Sequence, residues 1–323
     1  MKKIVTVGGG TGSYTVLSGL KYIPHISITA LVSMADDGGS TGVLRDELGV
    51  LPPGDVRQCL IALSEHSDIV RKVMGYRFTE GSLSGHSFGN IFLAALEKVS
   101  GDFARGVEIA SEILKVKGKV IPLTNNNAEL VVTLSDGERL FGENILNQTP
   151  VQEKGIIHIG YTNDVSINSH AKDAILSADV IVLGPGNYFC SIVPCVVVAG
   201  FREAIQKTKA KIIFPVNLTN KQGHTMYWGV TEYVSNIEDF IGRKFDHVLI
   251  NTEPPNEDQV AMYELTEGSG VLVLDDYKEG NAIRTQLLSH AVIKKGPGDV
   301  LPAVRGFIRH DSKKMAEVIM NIF

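Results

Sequence analysis

The feature that most limits how this chain can fold is a set of short runs, rich in β-branched residues, with apolar side chains on both faces. Residues 4–7, 28–33, 130–134, 180–183, 212–216, 248–251 and 271–274 read as strands of this kind. A strand that is apolar on both faces must be covered on both sides, as in parallel sheets held between helices. Helical patterns fall between the runs, at 12–22, 56–65, 88–99, 104–115, 192–206 and 232–241. Strand alternating with helix predicts a parallel sheet with right-handed crossovers. The expected fold is α/β: a Rossmann-like three-layer αβα arrangement around a mostly parallel, doubly wound sheet. Residues 135–170 break the rhythm with polar turns and short alternating stretches. They predict a β-rich excursion at about 135–170 within one α/β domain spanning 1–323.

Composition narrows the class of function. With 31 basic and 36 acidic side chains the formal charge is −5, which argues against an extended basic face and so against nucleic acid as a partner. No apolar stretch approaches the ~20 residues of a membrane span, so no membrane insertion is expected. The lysines and apolar run at the N-terminus are cut short by Gly8-Gly9-Gly10, unlike a signal peptide. Cys59, Cys190 and Cys195 have neither zinc-type nor CxxC spacing and read as reduced thiols. A cytoplasmic location follows as an expectation.

Polar and glycine-rich segments recur where strands end. Gly8-Gly9-Gly10-Thr11-Gly12-Ser13 follows the first strand and opens the first helix. Glycines there let the backbone approach an anion, and the free N–H groups of the helix start point at it, so Gly9 to Ser13 are candidate phosphate ligands. The spacing differs from the dinucleotide fingerprint, so NAD does not follow. After the second strand stands Asp36-Asp37-Gly38-Gly39-Ser40-Thr41-Gly42. Asp36 or Asp37 could hold a ribose hydroxyl, or Mg²⁺ with a phosphate oxygen, or belong to a solvated turn. Asp55, in Pro52-Pro53-Gly54-Asp55, reads first as a helix N-cap. Arg57 lies in that helix's first turn, where a cation needs an anionic partner, a ligand or a structural carboxylate.

Four further segments add donors and acceptors. In Gly85-His86-Ser87-Phe88-Gly89-Asn90, His86 and Asn90 could contact a base or sugar, with His86 also a candidate general base, or could simply support a helix start. Asn125, Asn126 and Asn127 suit a nucleobase edge or sugar hydroxyls, or an Asx-rich turn. Gly184-Pro185-Gly186-Asn187 is a second glycine-rich turn between strand and helix, and would flank a shared crevice with the first. Asn217 and Arg309 bring polar groups to the same rim, and Asp311 or Ser312 would cap the last helix.

Together these segments resemble the YvcK/CofD family along almost the whole chain, most specifically from Ser33 to Glu65. The match is to the YvcK branch, the so-called gluconeogenesis factor. Asn187 and Cys190 stand where the family usually carries hydroxyl residues, whereas Gly8 to Gly12 and Asp36-Asp37 keep its pattern. The resemblance implies a cytoplasmic homodimer that binds a UDP-sugar such as UDP-N-acetylglucosamine and links gluconeogenic growth to cell shape and cell-wall precursor supply. CofD-type relatives imply the alternative, a 2-phospho-L-lactate transferase acting on a deazaflavin with Mg²⁺. No nucleophile–base pair is apparent in the sequence, and no cofactor beyond a possible Mg²⁺ is expected.

Overall fold

The computed structural model describes residues 1–291 and 308–322. Among the described residues ten strands are formed: β1 (Lys2–Gly8), β2 (Ile26–Val32), β3 (Lys119–Pro122), β4 (Leu130–Leu134), β5 (Arg139–Phe141), β6 (Ile156–Tyr161), β7 (Val180–Leu183), β8 (Lys211–Pro215), β9 (His247–Asn251) and β10 (Ala282–Thr285). Seven of them make one sheet in the order β10-β9-β8-β7-β1-β2-β3, and every pairing in it is parallel. This is the expected doubly wound α/β architecture.

Period-two alternation divides the sheet's side chains between two cores. Val5, Val7, Ile181, Leu183, Ile212 and Phe214 face one side, while Ile4, Val180, Val182, Ile213 and Leu249 face the other. Helices Gly10–Leu20, Gly54–Leu63, Phe103–Ile113 and Ser312–Met320 cover the second side. Helices Ser169–Ser177, Phe201–Lys207 and Val230–Ile241 cover the first, together with β4. Full burial of one such aliphatic side chain is worth ~2 kcal/mol, so both faces drive coverage. Among the described residues, no helix is long and apolar enough to cross a membrane.

Several expectations need correction. Residues 130–134 do form a strand, but it is the centre of a separate antiparallel sheet, β5-β4-β6, built with the stretch read as a β-rich excursion. Residues 271–274 join no sheet. Their backbone clamps the loop after β8 instead, Val273 N donating to Leu218 O (3.2 Å) and Val230 N to Leu274 O (3.0 Å). The strands at the two sheet edges, β3 and β10, were not anticipated; each is only four residues long. The helix expected over 192–206 is broken. A π-helical turn (Tyr188–Ile192) leads into Val193–Val196, and Gly200, at φ +90°, precedes Phe201–Lys207. Gly39–Leu48, read as loop at its start, is a helix that places Ser40 and Thr41 in its first turn.

Candidate functional site at the switch point of the sheet

Strand order reverses beside β1, which lies between β2 and β7. At such a point neighbouring crossovers run to opposite sides and leave a crevice at the carboxyl ends of the strands. The two glycine turns meet there. Gly184 N donates to Val7 O (2.9 Å), tying the second turn to the end of β1. A Cβ on Gly12 would overlap the carbonyl of Pro185, so the first helix can abut the second turn only because residue 12 lacks a side chain. Gly10 takes φ +63°, a left-handed conformation suited to glycine.

On the β7–β8 side the crevice opens into a cavity of about 300 Å³. Thr11, Gly12, Gly186, Asn187, Asn217 and Arg309 all line it. Asn217 holds the second turn in place: its Nδ2 donates to Gly186 O (2.7 Å) and its Oδ1 accepts from Gly186 N (3.4 Å). Beneath, Tyr188, Trp228 and Tyr233 pack edge-on, and the Tyr233 hydroxyl donates to Asn220 Oδ1 (3.1 Å) and lies within hydrogen-bond distance of the Thr225 hydroxyl (3.0 Å). The loop after β8 is thereby fixed before any ligand arrives. Lys221 is bound into the wall through Asn147 (Nζ to O, 2.6 Å). Thr219, Lys221, His224, Glu267 and His310 also line this cavity, and were not singled out as site residues from the sequence.

The β1–β2 side is acidic. Asp36 accepts from Gly38 N (3.0 Å) and from the Thr41 hydroxyl, while burial raises its carboxyl above the ordinary range. Asp55 is not the cap of its own helix: Pro53 holds that position and Asp55 lies in the first turn. Its carboxylate reaches across to the N–H of Gly10 instead, and a Cβ on Gly9 would overlap it. Burial, and then the neighbouring Asp36, push Asp55 up to about 7. Glu143, distant in sequence, completes the group. Burial raises it well above the usual range, followed by Asp36, Asp55 and Asp37. Arg57 is the cation here. Burial and Arg77 push it down to about 10, which leaves it charged at neutral pH, and its Nη1 donates to Ser87 Oγ (2.9 Å). Its Nε has no partner, and neither has the buried Oδ1 of Asn90, whose Nδ2 donates to Ser40 and Thr41 (both 3.4 Å). His86 Nδ1 lies 3.2 Å from Ser40 Oγ.

Asp36 and Asp37 diverge. Asp37 accepts from Asn144 N (2.7 Å) in the first turn of helix Glu143–Gln148, so it caps the antiparallel insertion while Asp36 turns toward Gly38 and Thr41. Among the described residues no group of three or more His, Cys, Asp or Glu side chains is placed to hold a metal. Gly38 and Gly39 start helix Gly39–Leu48. The three asparagines do not line the cavity. Asn125 accepts from Asn168 (3.1 Å), Asn126 accepts from Thr124 Oγ1 (3.0 Å) and Ser166 N (3.2 Å), and Asn127 O accepts from Asn163 (3.0 Å). They staple the end of β3 to the segment before helix Ser169–Ser177.

The sequence and the fold have close relatives. The family model described as "2-phospho-L-lactate transferase CofD" matches residues 4–293. A Thermotoga maritima protein named "Putative gluconeogenesis factor" is 39% identical over 322 residues, covering 99% of each chain. The Bacillus subtilis protein named "Gluconeogenesis factor" is 34% identical over 323 residues, covering 99% of this chain and 98% of its own. The crystal structure of a Bacillus halodurans member of the upf0052 family superposes with a TM-score of 0.88 at 35% identity, over 99% of this chain and 98% of that one. Full-length similarity in both sequence and fold leads to one assignment: the chain belongs to the CofD family, in its gluconeogenesis-factor branch.

Proposed function

We propose that this protein is a nucleotide-sugar receptor, a regulator that binds a UDP-sugar at the switch point and adjusts carbon flow toward cell-wall precursors. One observation carries the reading: two glycine turns in contact at the strand reversal open into a cavity edged by Arg309. Gly9 gives helix Gly10–Leu20 no side-chain cap, and the N–H groups of the first turn beyond Gly10, whose own N–H is bonded to Asp55, favour a diphosphate. No hydrogen bond or ion pair ties the Arg309 guanidinium to the described residues, which leaves a permanent positive charge for an anion. At about 300 Å³ the cavity is at the lower end of small-molecule sites, enough for the diphosphate and one flanking group. The branch's names support a link to gluconeogenic growth, and a cytoplasmic homodimer belongs to the same reading.

Calorimetry of the full chain with UDP-N-acetylglucosamine, UDP and GDP, each with and without Mg²⁺, tests this. We expect saturable binding of the UDP-sugar, no consumption of it on long incubation, and at least tenfold weaker binding by Arg309→Ala. No binding, or equal binding by that variant, overturns the proposal.

The alternative, a phospholactyl-type transferase, draws on the acidic side. Asp36, with ligand phosphate oxygens and water, would hold a Mg²⁺ ion, since hard cations accept mixed carboxylate, phosphate and water shells. That ion would neutralise charge on a transferring phosphoryl group. Mg²⁺-dependent consumption of a nucleotide substrate would establish this reading over the first.

A further inference from the structure

The lining of the cavity includes a group that the phosphate reading does not use. His310 is 7% exposed and lies just before helix Ser312–Met320, beside Arg309. Its backbone is held by a bridge to Leu288. One ring nitrogen is hydrogen-bonded to the backbone of Val216, while Nε2 is buried without a partner. The N–H of Val216 already donates to Leu249 O (3.0 Å), so the group left for the ring is the Val216 carbonyl. A carbonyl only accepts; the proton therefore sits on Nδ1, and Nε2 carries a lone pair. Burial pushes the ring down to about 4, so it stays neutral at physiological pH.

A fixed, unpartnered acceptor on a residue that lines a ligand cavity discriminates by chemistry once a ligand reaches it. Phosphate oxygens at neutral pH are acceptors and cannot satisfy it; an O–H or N–H can. The cavity lining thus combines the start of helix Gly10–Leu20, which favours an anion, with an acceptor on His310. We propose that His310 is a specificity residue that accepts a hydrogen bond from a neutral O–H or N–H of the ligand beyond its phosphates, on the sugar or on the nucleoside. This orients the ligand, diphosphate on the glycine turns and uncharged donor at His310. The inference rests on the nucleotide-sugar reading and deepens it. It also gives a role to a buried histidine at a position where leucine would fill the same space without leaving an unpaired acceptor.

The test is calorimetry of the wild-type full chain and of His310→Leu with three probes: UDP-N-acetylglucosamine, UDP and inorganic pyrophosphate. We expect His310→Leu to weaken UDP-N-acetylglucosamine at least tenfold and to leave pyrophosphate within twofold. If UDP weakens by the same factor, the donor is on the nucleoside; if UDP is unaffected, it is on the sugar. Unchanged binding of the UDP-sugar, or an equal loss for pyrophosphate, overturns the proposal. Failure of the wild type to bind any probe would instead overturn the nucleotide-sugar reading, and this assignment with it. A second readout does not depend on the variant folding. In ¹⁵N-histidine-labelled protein, Nε2 of His310 should be unprotonated without ligand and move upfield on saturation with UDP-N-acetylglucosamine. A protonated Nε2 in the free protein, or a resonance that does not move, is the contrary result.

Discussion

The two sides of the switch point differ in how their polar groups are satisfied. On the β7–β8 side, Asn217, Asn220 and Tyr233 are bonded to one another's loops, Lys221 is anchored on Asn147, and the cation at the rim is Arg309. On the β1–β2 side, Asp36, Asp55 and Glu143 crowd together, each raised by burial, and Arg57 with an unpaired Nε stands among them. On the function proposed above, the first region is a preformed receptor for an anion. The second would repel the same anion unless a proton or a cation accompanied it. A ligand phosphate on Gly9–Gly12 would touch both, so its binding should be coupled to the charge state of the acids.

The largest effect expected from testing this contrast is at the seam itself. Gly12→Val would drive a side chain into the Pro185 carbonyl and should cost ~3 kcal/mol or more in urea unfolding. Gly39→Ala, on the acidic side, meets nothing within 4 Å and should cost only about 1 kcal/mol, from its φ of +46°. Equal losses would mean that the seam is not the tighter contact.

Asp55→Asn comes next. The folded-state carboxyl titrates near 7 against an ordinary value of 3.8, so the folded protein holds the proton more tightly than the unfolded chain. The stabilisation this gives is complete below about pH 4 and is lost as pH rises through about 7. Asp55→Asn should therefore be more stable than wild type at pH 8, by about 1–3 kcal/mol, and should flatten the decline between pH 5 and 8 in thermal melts. A wild-type protein that gains stability over that range contradicts the assignment.

Added Mg²⁺ tests the same charges more gently. It should raise the melting temperature at pH 8 by a few degrees and less at pH 5.5, with the gain lost in Asp36→Asn. A gain independent of pH would show that the ion binds elsewhere. The smallest effect belongs to Asp37. Asp37→Ala removes the acceptor for Asn144 N and should cost about 1 kcal/mol, seen as faster amide exchange in residues 143–148 with ligand affinity unchanged. A tenfold loss of affinity would return Asp37 to the binding site.

The sequence made the frame of the molecule legible. The strands that became β1, β2, β7, β8 and β9 are dense in β-branched residues and lie where expected, as do the two glycine turns and their shared crevice. The misses have physical causes. β3 and β10 are too short for periodicity to register, and residues 271–274 have strand-like alternation but pair with a loop. Asp55 looks like a cap because an acid after Pro-Gly usually is one; only the tertiary fold brings it to Gly10. Glu143 reaches the acidic group from the antiparallel insertion, a contact no local pattern encodes. The asparagines at 125–127 have the chemistry of a base reader, and the loop at 163–168 bonds Oδ1 of Asn125 and Asn126 and the main-chain carbonyl of Asn127, contacts between distant segments that no local pattern encodes.

The strand order also sets when the receptor comes into being. β1 and β2 are neighbours in both sequence and sheet, but the partner on the other flank of β1 is β7. The Gly12–Pro185 contact joins residues that leave the ribosome far apart in time, roughly 10–35 s at ordinary bacterial synthesis rates of about 5–20 residues per second. Throughout that interval the first glycine loop exists without the wall that completes it. On the proposed function, a nascent chain cannot bind its ligand until translation has passed Arg309, the last of the cavity's charged residues named above.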